Sequence, residues 1–408
     1  MKLHLFINAA GASAGGGITY LRNVLPHIAA RNDVRATVLL SGELDGEIKP
    51  SDGITFLRLP DGRFGIAGRF LREQWSVPRL IRECGADILL SPGNFAILRS
   101  PVPQILLSRN ALYTSRDFSR DLIRRRRYRL WMDTKIRARL ARYSNTKADR
   151  TATPSAAFAE ETKLWTGRSV RVVHHGFDSN LFFAGSGPLS AGLERALTRP
   201  PNTLRLLFVS HYNYYRNFET LLRAIPFIQQ RLGKNVQLVL TCKLEGAPGG
   251  YDTNEAAGLV RSLGIERDVV QLGAVPYGQL HHLYRSSDVY VTAAYAETFA
   301  HPLVEAMSCG LPIVASDLAV HREICGDAAL YFPRFSAEEL AGQVVKLAHS
   351  PGLSQTLASR GQIRARDFSW TRHVDEIVAI ARELTGIVAE PPISRFHSAE
   401  AELEQRVV

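Results

Sequence analysis

Cysteine, lysine and long apolar runs are scarce in this chain, and each shortage excludes something. The four cysteines, Cys84, Cys242, Cys309 and Cys325, are scattered, with neither a disulfide framework nor metal-ligand spacing. That predicts a reduced, cytoplasmic setting. No apolar run approaches the roughly 20 residues that cross a bilayer. The opening stretch Lys2 to Ala10 is too short for an export signal and is interrupted by His4 and Asn8. Only eight of the fifty basic residues are lysine, so the placement of the arginines says more than their number. The net charge of +11 comes with no helix-turn-helix, zinc-finger or RNA-recognition pattern, and nucleic acid is not an expected partner.

At 408 residues the chain exceeds the size at which one core stops growing, so two domains are expected. With 45% hydrophobic and 22% charged residues, it has the make-up of a soluble globular protein. Residues 2–9 read as an apolar strand. The glycine-rich Gly11-Ala-Ser-Ala-Gly-Gly-Gly17 follows, then a helix from Ile18 to Ala30 and a strand from Val34 to Leu40. This is a Rossmann-like start. Tyr20 stands where the third glycine of the dinucleotide fingerprint belongs, and no acidic residue closes the second strand. The loop therefore reads less as an NAD site than as a place where a ligand or neighbouring domain approaches the backbone.

Arg69 to Cys84 reads as a helix with Leu71, Trp75, Leu80 and Ile81 inward. Two strands run into Pro92-Gly-Asn94 and Ser108-Arg-Asn110. Asn94, Arg109 and Asn110 thus lie beyond the carboxyl ends of strands, where parallel sheets form their ligand crevice. The plainer reading of such loops is solvation. From Arg116 to Arg142 eleven basic residues face three acidic ones, interleaved with Leu122, Ile123, Tyr128, Leu130, Trp131, Ile136 and Leu140. Such a helix can lie on an anionic membrane or turn its apolar side to a core. Ser155 reads as the N-cap of a helix over Ala156 to Trp165. Asn180 to Asn202, rich in Gly, Pro and Ser, reads as a linker, and from Leu204 the strand–helix alternation restarts. Alternation in both halves indicates two doubly wound α/β domains. Thr371 to Leu384 forms a last helix, and Glu390 to Val408 reads as a mobile tail.

The densest stretch is Ala296 to Ser316, with carboxylates Glu297 and Glu305 eight apart. Pro302 suits the first position of a helix and Gly310 its C-terminal cap, before the buried strand Leu311-Pro-Ile-Val-Ala. The open helix N-terminus, about Ala300 to Val304, is suited to an anionic group such as phosphate. An ordinary βαβ crossover with two surface glutamates remains the alternative from this pattern alone.

Glu297-x7-Glu305 with Glu-Ala-Met-Ser-Cys-Gly-Leu-Pro-Ile-Val-Ala-Ser-Asp resembles the signature of retaining GT-B glycosyltransferases of family 4 (glycosyl transferases group 1). The runs Ser210 to Asn217, His175-Gly-Phe-Asp178, Leu283 to Val291, Arg322 to Phe332 and Phe368-Ser-Trp370 continue it. The resemblance is strongest over about 170–385. It implies the GT-B fold: two facing Rossmann-like domains with a cleft between them. These are an acceptor domain over 1–185, joined by a crossover helix at about 366–385, a donor domain over 186–365, and a tail over 386–408. It implies a retaining enzyme that moves a hexose from a nucleotide-diphosphate sugar, its substrate, to a glycan or lipid-linked glycan without metal or other cofactor. Glu305 would hold ribose hydroxyls, Glu297 the transferred sugar, and Arg216 the diphosphate. His211, Thr298, Phe299, Ala300, His301, Leu303 and Val304 would line the donor, with the backbone of Gly16 and Gly17 close by. Asn94, Arg109 and Asn110 fall on the acceptor side. The family's usual Glu-Gly-Phe-Gly is here Glu297-Thr-Phe-Ala300, and His211 stands where an arginine is common. The extra side chains bear on donor identity. An inactive homologue that binds membranes or polyanions, or a nucleotide-sugar epimerase, is the competing function. A peripheral position on the cytoplasmic face of a membrane, through residues 116–142, accompanies the leading one.

Overall fold

The seven residues Leu3–Ala9 are all buried, and a strand buried on both faces belongs inside a parallel sheet covered by helices. The computed structural model describes residues 2–11, 16–41, 52–59 and 66–388. The glycine-loop residues 12–15 and the tail from 389 on lie outside them.

Strands β1 (Leu3–Ala9), β2 (Val34–Ser41), β3 (Ile54–Leu59), β4 (Ile88–Ser91), β5 (Gln104–Leu107), β6 (Arg150–Thr153) and β7 (Val170–Val172) form one sheet in the order β3-β2-β1-β4-β5-β6-β7. Strands β8 (Thr203–Phe208), β9 (Asn235–Leu240), β10 (Val269–Gln271), β11 (Val289–Thr292), β12 (Ile313–Ser316) and β13 (Ala329–Phe332) form a second, ordered β10-β9-β8-β11-β12-β13. The registers are parallel, as between β8 and β9 (Leu206 opposite Leu238) and between β11 and β12 (Tyr290 opposite Ile313). Both orders step outward from the first strand and then reverse, the doubly wound arrangement that the alternation predicted.

The chain divides into two compact units. The first comprises residues 1–93, 97–105 and 374–408; the second comprises 94–96 and 106–373 and contains the whole six-stranded sheet. In the second unit Gly176 has no room for a side chain: a Cβ there would lie 2.1 Å from the Trp370 backbone nitrogen.

Three local expectations need correction. The helix Ile66–Cys84 turns Leu71 (60% exposed) and Trp75 (82% exposed) outward, while Val77 and Ile81 are buried. Its inward stripe runs through Gln74, whose Oε1 accepts from the Leu98 N–H at 2.7 Å. A half-buried polar residue with its partner supplied by a distant segment disguised the phase of the periodicity. The expected linker Asn180 to Asn202 contains two short helices, Ser179–Ala184 and Ala191–Ala196. Arg285 holds the end of the first by donating to the Phe182 and Phe183 carbonyls. The arginine-rich segment is broken at Arg126 (φ 56°) into helices Arg116–Arg124 and Tyr128–Lys147. There Arg125 is buried against Asp121 and Glu219, each at 2.9 Å, while Arg124 pairs with Asp121 and Arg127 with Asp252. Trp131 is half-buried and donates its indole N–H to Ser119 Oγ at 2.9 Å. Most of the 124–127 run therefore serves internal ion pairs.

Candidate active site

The segment after β11 reaches the helix His301–Ser308 through Ala300, whose backbone is left-handed (φ 64°, ψ 64°). A residue with a Cβ is disfavoured there by about 1–2 kcal/mol. Ala300 thus occupies a conformation natural to glycine, which explains why the departure from Glu-Gly-Phe-Gly costs the backbone something. The helix opens one residue earlier than expected, with Pro302 second. Proline has no N–H and the Leu303 N–H is taken by the Ala300 carbonyl at 3.0 Å, which narrows the open amides to those of Ala300 and His301. Leu303 and Val304 are fully buried core side chains, so neither side chain faces a ligand.

Arg216 ends a single turn of 3-10 helix, Tyr214–Arg216, and is followed by Asn217 in the left-handed region. Asn217 locks the turn: its Nδ2 donates to the carbonyls of Ala293 (3.1 Å) and Arg334 (2.7 Å), and its Oδ1 accepts from Thr220 Oγ1. The Arg216 guanidinium lies over the Tyr215 ring and forms an ion pair with Glu297. Its Nε–H is buried and has no partner among the described residues. Glu297 and Arg216, separated along the chain by the three strands β9, β10 and β11, therefore meet.

Glu305 is 6% exposed and accepts from the Tyr284 hydroxyl through Oε2 at 2.7 Å. Oε1 takes no hydrogen bond among the described residues. Burial raises its pKa from 4.5 to about 7, against the opposing effect of Tyr284. Tyr284 sits in the Leu283-Tyr-Arg-Ser-Ser-Asp run, whose aromatic gave no sign of its role as carboxylate partner.

A ring cluster adjoins this segment. His175 stacks on His301 (5.1 Å between centroids) and packs against Trp370 (5.3 Å) and His373 (5.4 Å), with Phe299 at 5.5 Å. Burial first, and Arg109 among the charges, lowers all three histidines, His301 and His373 to about 4. They are neutral at pH 7, within a positive field to which Arg109 and, at His301, Arg216 contribute. The structure thus gathers Arg109 and His301 with residues that spacing could not connect. Asn94 and Asn110 serve the backbone instead: Asn94 accepts from the Arg109 N–H (2.8 Å), and Asn110 caps the next turn through the Leu112 N–H (3.0 Å). The Thr298 carbonyl accepts from Ser155 Oγ (2.7 Å), which also accepts from the Phe158 N–H as the expected N-cap. His211 is exposed. Gly16 and Gly17 open the helix Gly16–Ala29 in the first unit. Among the described residues no three His, Cys, Asp or Glu are grouped to hold a metal ion, and no helix is long and apolar enough to cross a membrane.

Two family models match the chain: Glycosyltransferase Family 4 over residues 14–181 and Glycosyl transferases group 1 over 193–364. A D-inositol 3-phosphate glycosyltransferase of Actinosynnema mirum is 29% identical over 52% of this chain and 51% of its own length. The O-antigen chain mannosyltransferase B of Escherichia coli is 26% identical over 40% of this chain and 42% of its own length. The chain spans about half the length of the curated relatives it matches. Sucrose-phosphate synthase from Thermosynechococcus elongatus shares the fold with a TM-score of 0.75 at 17% identity, over 94% of this chain and 100% of that one. Anabaena HepE, solved with UDP and glucose, does so with a TM-score of 0.70 at 19% identity, over 94% and 100%. Two doubly wound sheets and the two family models, matched over residues 14–181 and 193–364, place the chain in glycosyltransferase family 4, with the GT-B fold.

Proposed function

We propose that the protein is a retaining glycosyltransferase that moves a hexose from a nucleoside-diphosphate sugar to a glycan or lipid-linked glycan. The observation that carries this reading is Glu305, a nearly buried carboxylate with one oxygen held by Tyr284 and the other open. An open carboxylate oxygen in a low-dielectric site is suited to a hydroxyl donor such as ribose. Arg216, with a buried Nε–H that has no partner among the described residues, and the amides of Ala300 and His301 would take the diphosphate. Glu297 would accept from hydroxyls of the transferred sugar. As the bond from the anomeric carbon to phosphate breaks, the electron pair leaves on the diphosphate, and Arg216 stabilises that charge without a divalent metal. The acceptor oxygen bonds to the same face of the sugar, and its proton passes to a phosphate oxygen. Glu297, already paired with Arg216, is a binding residue in this scheme and not one of a flanking acid/base pair.

Anabaena HepE, solved with UDP and glucose, and the mannosyltransferase acting on an O-antigen chain support a nucleotide sugar and a glycan as substrates. Calorimetry with GDP, UDP and ADP tests the reading. One of them is expected to bind saturably, more weakly in Glu305→Ala. Absence of binding by all three would favour the inactive polyanion-binding homologue.

The membrane contact shifts along the arginine-rich segment. The helix Tyr128–Lys147 exposes Tyr128, Met132, Ile136 and Tyr143 together with Arg129, Lys135, Arg139 and Arg142. Its acid Asp133 is paired with Arg137 at 2.8 Å. Aromatic and apolar side chains amid unneutralised cations suit the headgroup region of an anionic leaflet, which would place the protein peripherally on a cytoplasmic membrane face. Flotation with phosphatidylglycerol vesicles is expected to carry the protein, and phosphatidylcholine vesicles to carry far less. Equal flotation, or none lost in a variant with Arg129, Lys135, Arg139 and Arg142 changed to glutamine, would remove this face.

A further inference from the structure

Beside Glu297 lies a cavity of about 240 Å³ whose walls include Glu161, Arg116 and Arg334 as well as Glu297 itself. A second cavity of about 520 Å³ shares Asp117 and Tyr295 with the first and runs on to Arg223 and Phe335. The first is smaller than the roughly 300–1,000 Å³ of ordinary ligand sites, and the second falls within that range. The far end is a fixed platform. Phe335 is 57% exposed and packs against Tyr295 at 5.5 Å between centroids, and Tyr295 donates its hydroxyl to Asp121 Oδ2 at 2.7 Å. Arg223 is exposed beside it and forms no ion pair among the described residues. The cation behind, Arg125, is spent on Asp121 and Glu219.

An exposed phenylalanine at a cavity rim, backed by a second aromatic and flanked by a free guanidinium, presents one apolar face and several donors. A pyranose ring has the complementary make-up: an apolar face of C–H groups and an equator of hydroxyls. We infer that the acceptor is an oligosaccharide of at least two sugars. The sugar that receives the hexose occupies the smaller cavity between Glu297 and Glu161, and the next stacks on Phe335 with its hydroxyls toward Arg223. The inference rests on the transferase reading above, and it adds a length requirement and a stacking residue to it. The glycosidic bond between the two acceptor sugars crosses at Asp117 and Tyr295, the residues common to both cavities.

Saturation-transfer NMR titration of the full chain, saturated with the nucleoside diphosphate that binds, tests this with glucose, galactose, mannose, maltose, lactose and mannobiose. At least one disaccharide is expected to bind about tenfold tighter than either of its monosaccharides, an advantage lost in Phe335→Ala and kept in Phe335→Trp. Arg223→Ala is expected to reduce it as well. Nucleoside diphosphate affinity stays unchanged in both variants, which also shows that they are folded. The inference is overturned if no disaccharide exceeds its monosaccharides, or if Phe335→Ala leaves the advantage intact. If nucleoside diphosphates do not bind the unaltered protein, the transferase reading fails instead.

Discussion

Arg216→Ala is expected to lower kcat/KM for transfer by about 10²–10³-fold, the loss seen when one preorganised donor is removed from developing negative charge. The residue is preorganised in a literal sense. The turn Tyr214–Arg216 is closed by Asn217, whose side chain bonds two carbonyls from other loops, so the guanidinium is aimed before any ligand arrives. In the ligand-free protein its charge is balanced by Glu297, while its Nε–H is buried and has no partner among the described residues. A diphosphate oxygen would satisfy that donor, and its charge would grow as the sugar leaves. Lysine keeps the charge but loses the fork, so Arg216→Lys is expected to retain activity between alanine and the native residue. Steady-state kinetics with the donor identified by calorimetry measures this. A loss below tenfold in Arg216→Ala would remove Arg216 from the transfer step.

Glu305→Gln is expected to stabilise the ligand-free protein above neutral pH while weakening nucleoside diphosphate binding. The Glu305 carboxyl titrates at about 7 in the fold because burial disfavours its charge, against an ordinary value of 4.5. Between those values the folded state holds a proton that the unfolded chain has released. Stability is therefore fully present below about 4.5, fades as pH rises, and is lost once pH passes about 7. The penalty above that point is about 3 kcal/mol on the scale of about 1.4 kcal/mol per unit. Glutamine has no proton to lose, so the variant should gain stability relative to the native protein at about pH 8 and little at about pH 5. Its amide would hold the Tyr284 hydroxyl but offer a ribose diol a weaker acceptor. Denaturant unfolding at both pH values, with calorimetry beside it, separates the two effects. Parallel stability curves for both proteins would show that Glu305 is already ionised in the fold.

The ion pairs of Arg125 illustrate how a sequence can suggest a surface place for a residue that is buried. Seven basic residues between Arg116 and Arg129 read as a cationic face. Arg125 instead became the most buried of them because Glu219 and Asp121 were brought to it, and leaving such a group unpaired would cost several kcal/mol. Leu71 and Trp75 erred in the opposite sense: apolar residues assigned inward lie outside because Gln74 occupies the inward stripe.

The alternation of strands and helices, the turn glycines and the Glu297–Glu305 segment were legible in the sequence alone, because periodicity and capping are written in residues that are near neighbours along the chain. Both doubly wound sheets and the helix behind Ala300 follow from them. The meeting of Arg109, His175, His301 and the pair Trp370 and His373 on one helix was decided only by the tertiary structure, since these residues come from four separate segments. So were the ionisation of Glu305 and the neutrality of the histidines, which depend on desolvation and on charges that packing brings together. Sequence determined the loop-and-helix unit around Ala300; packing decided which side chains near it carry charge.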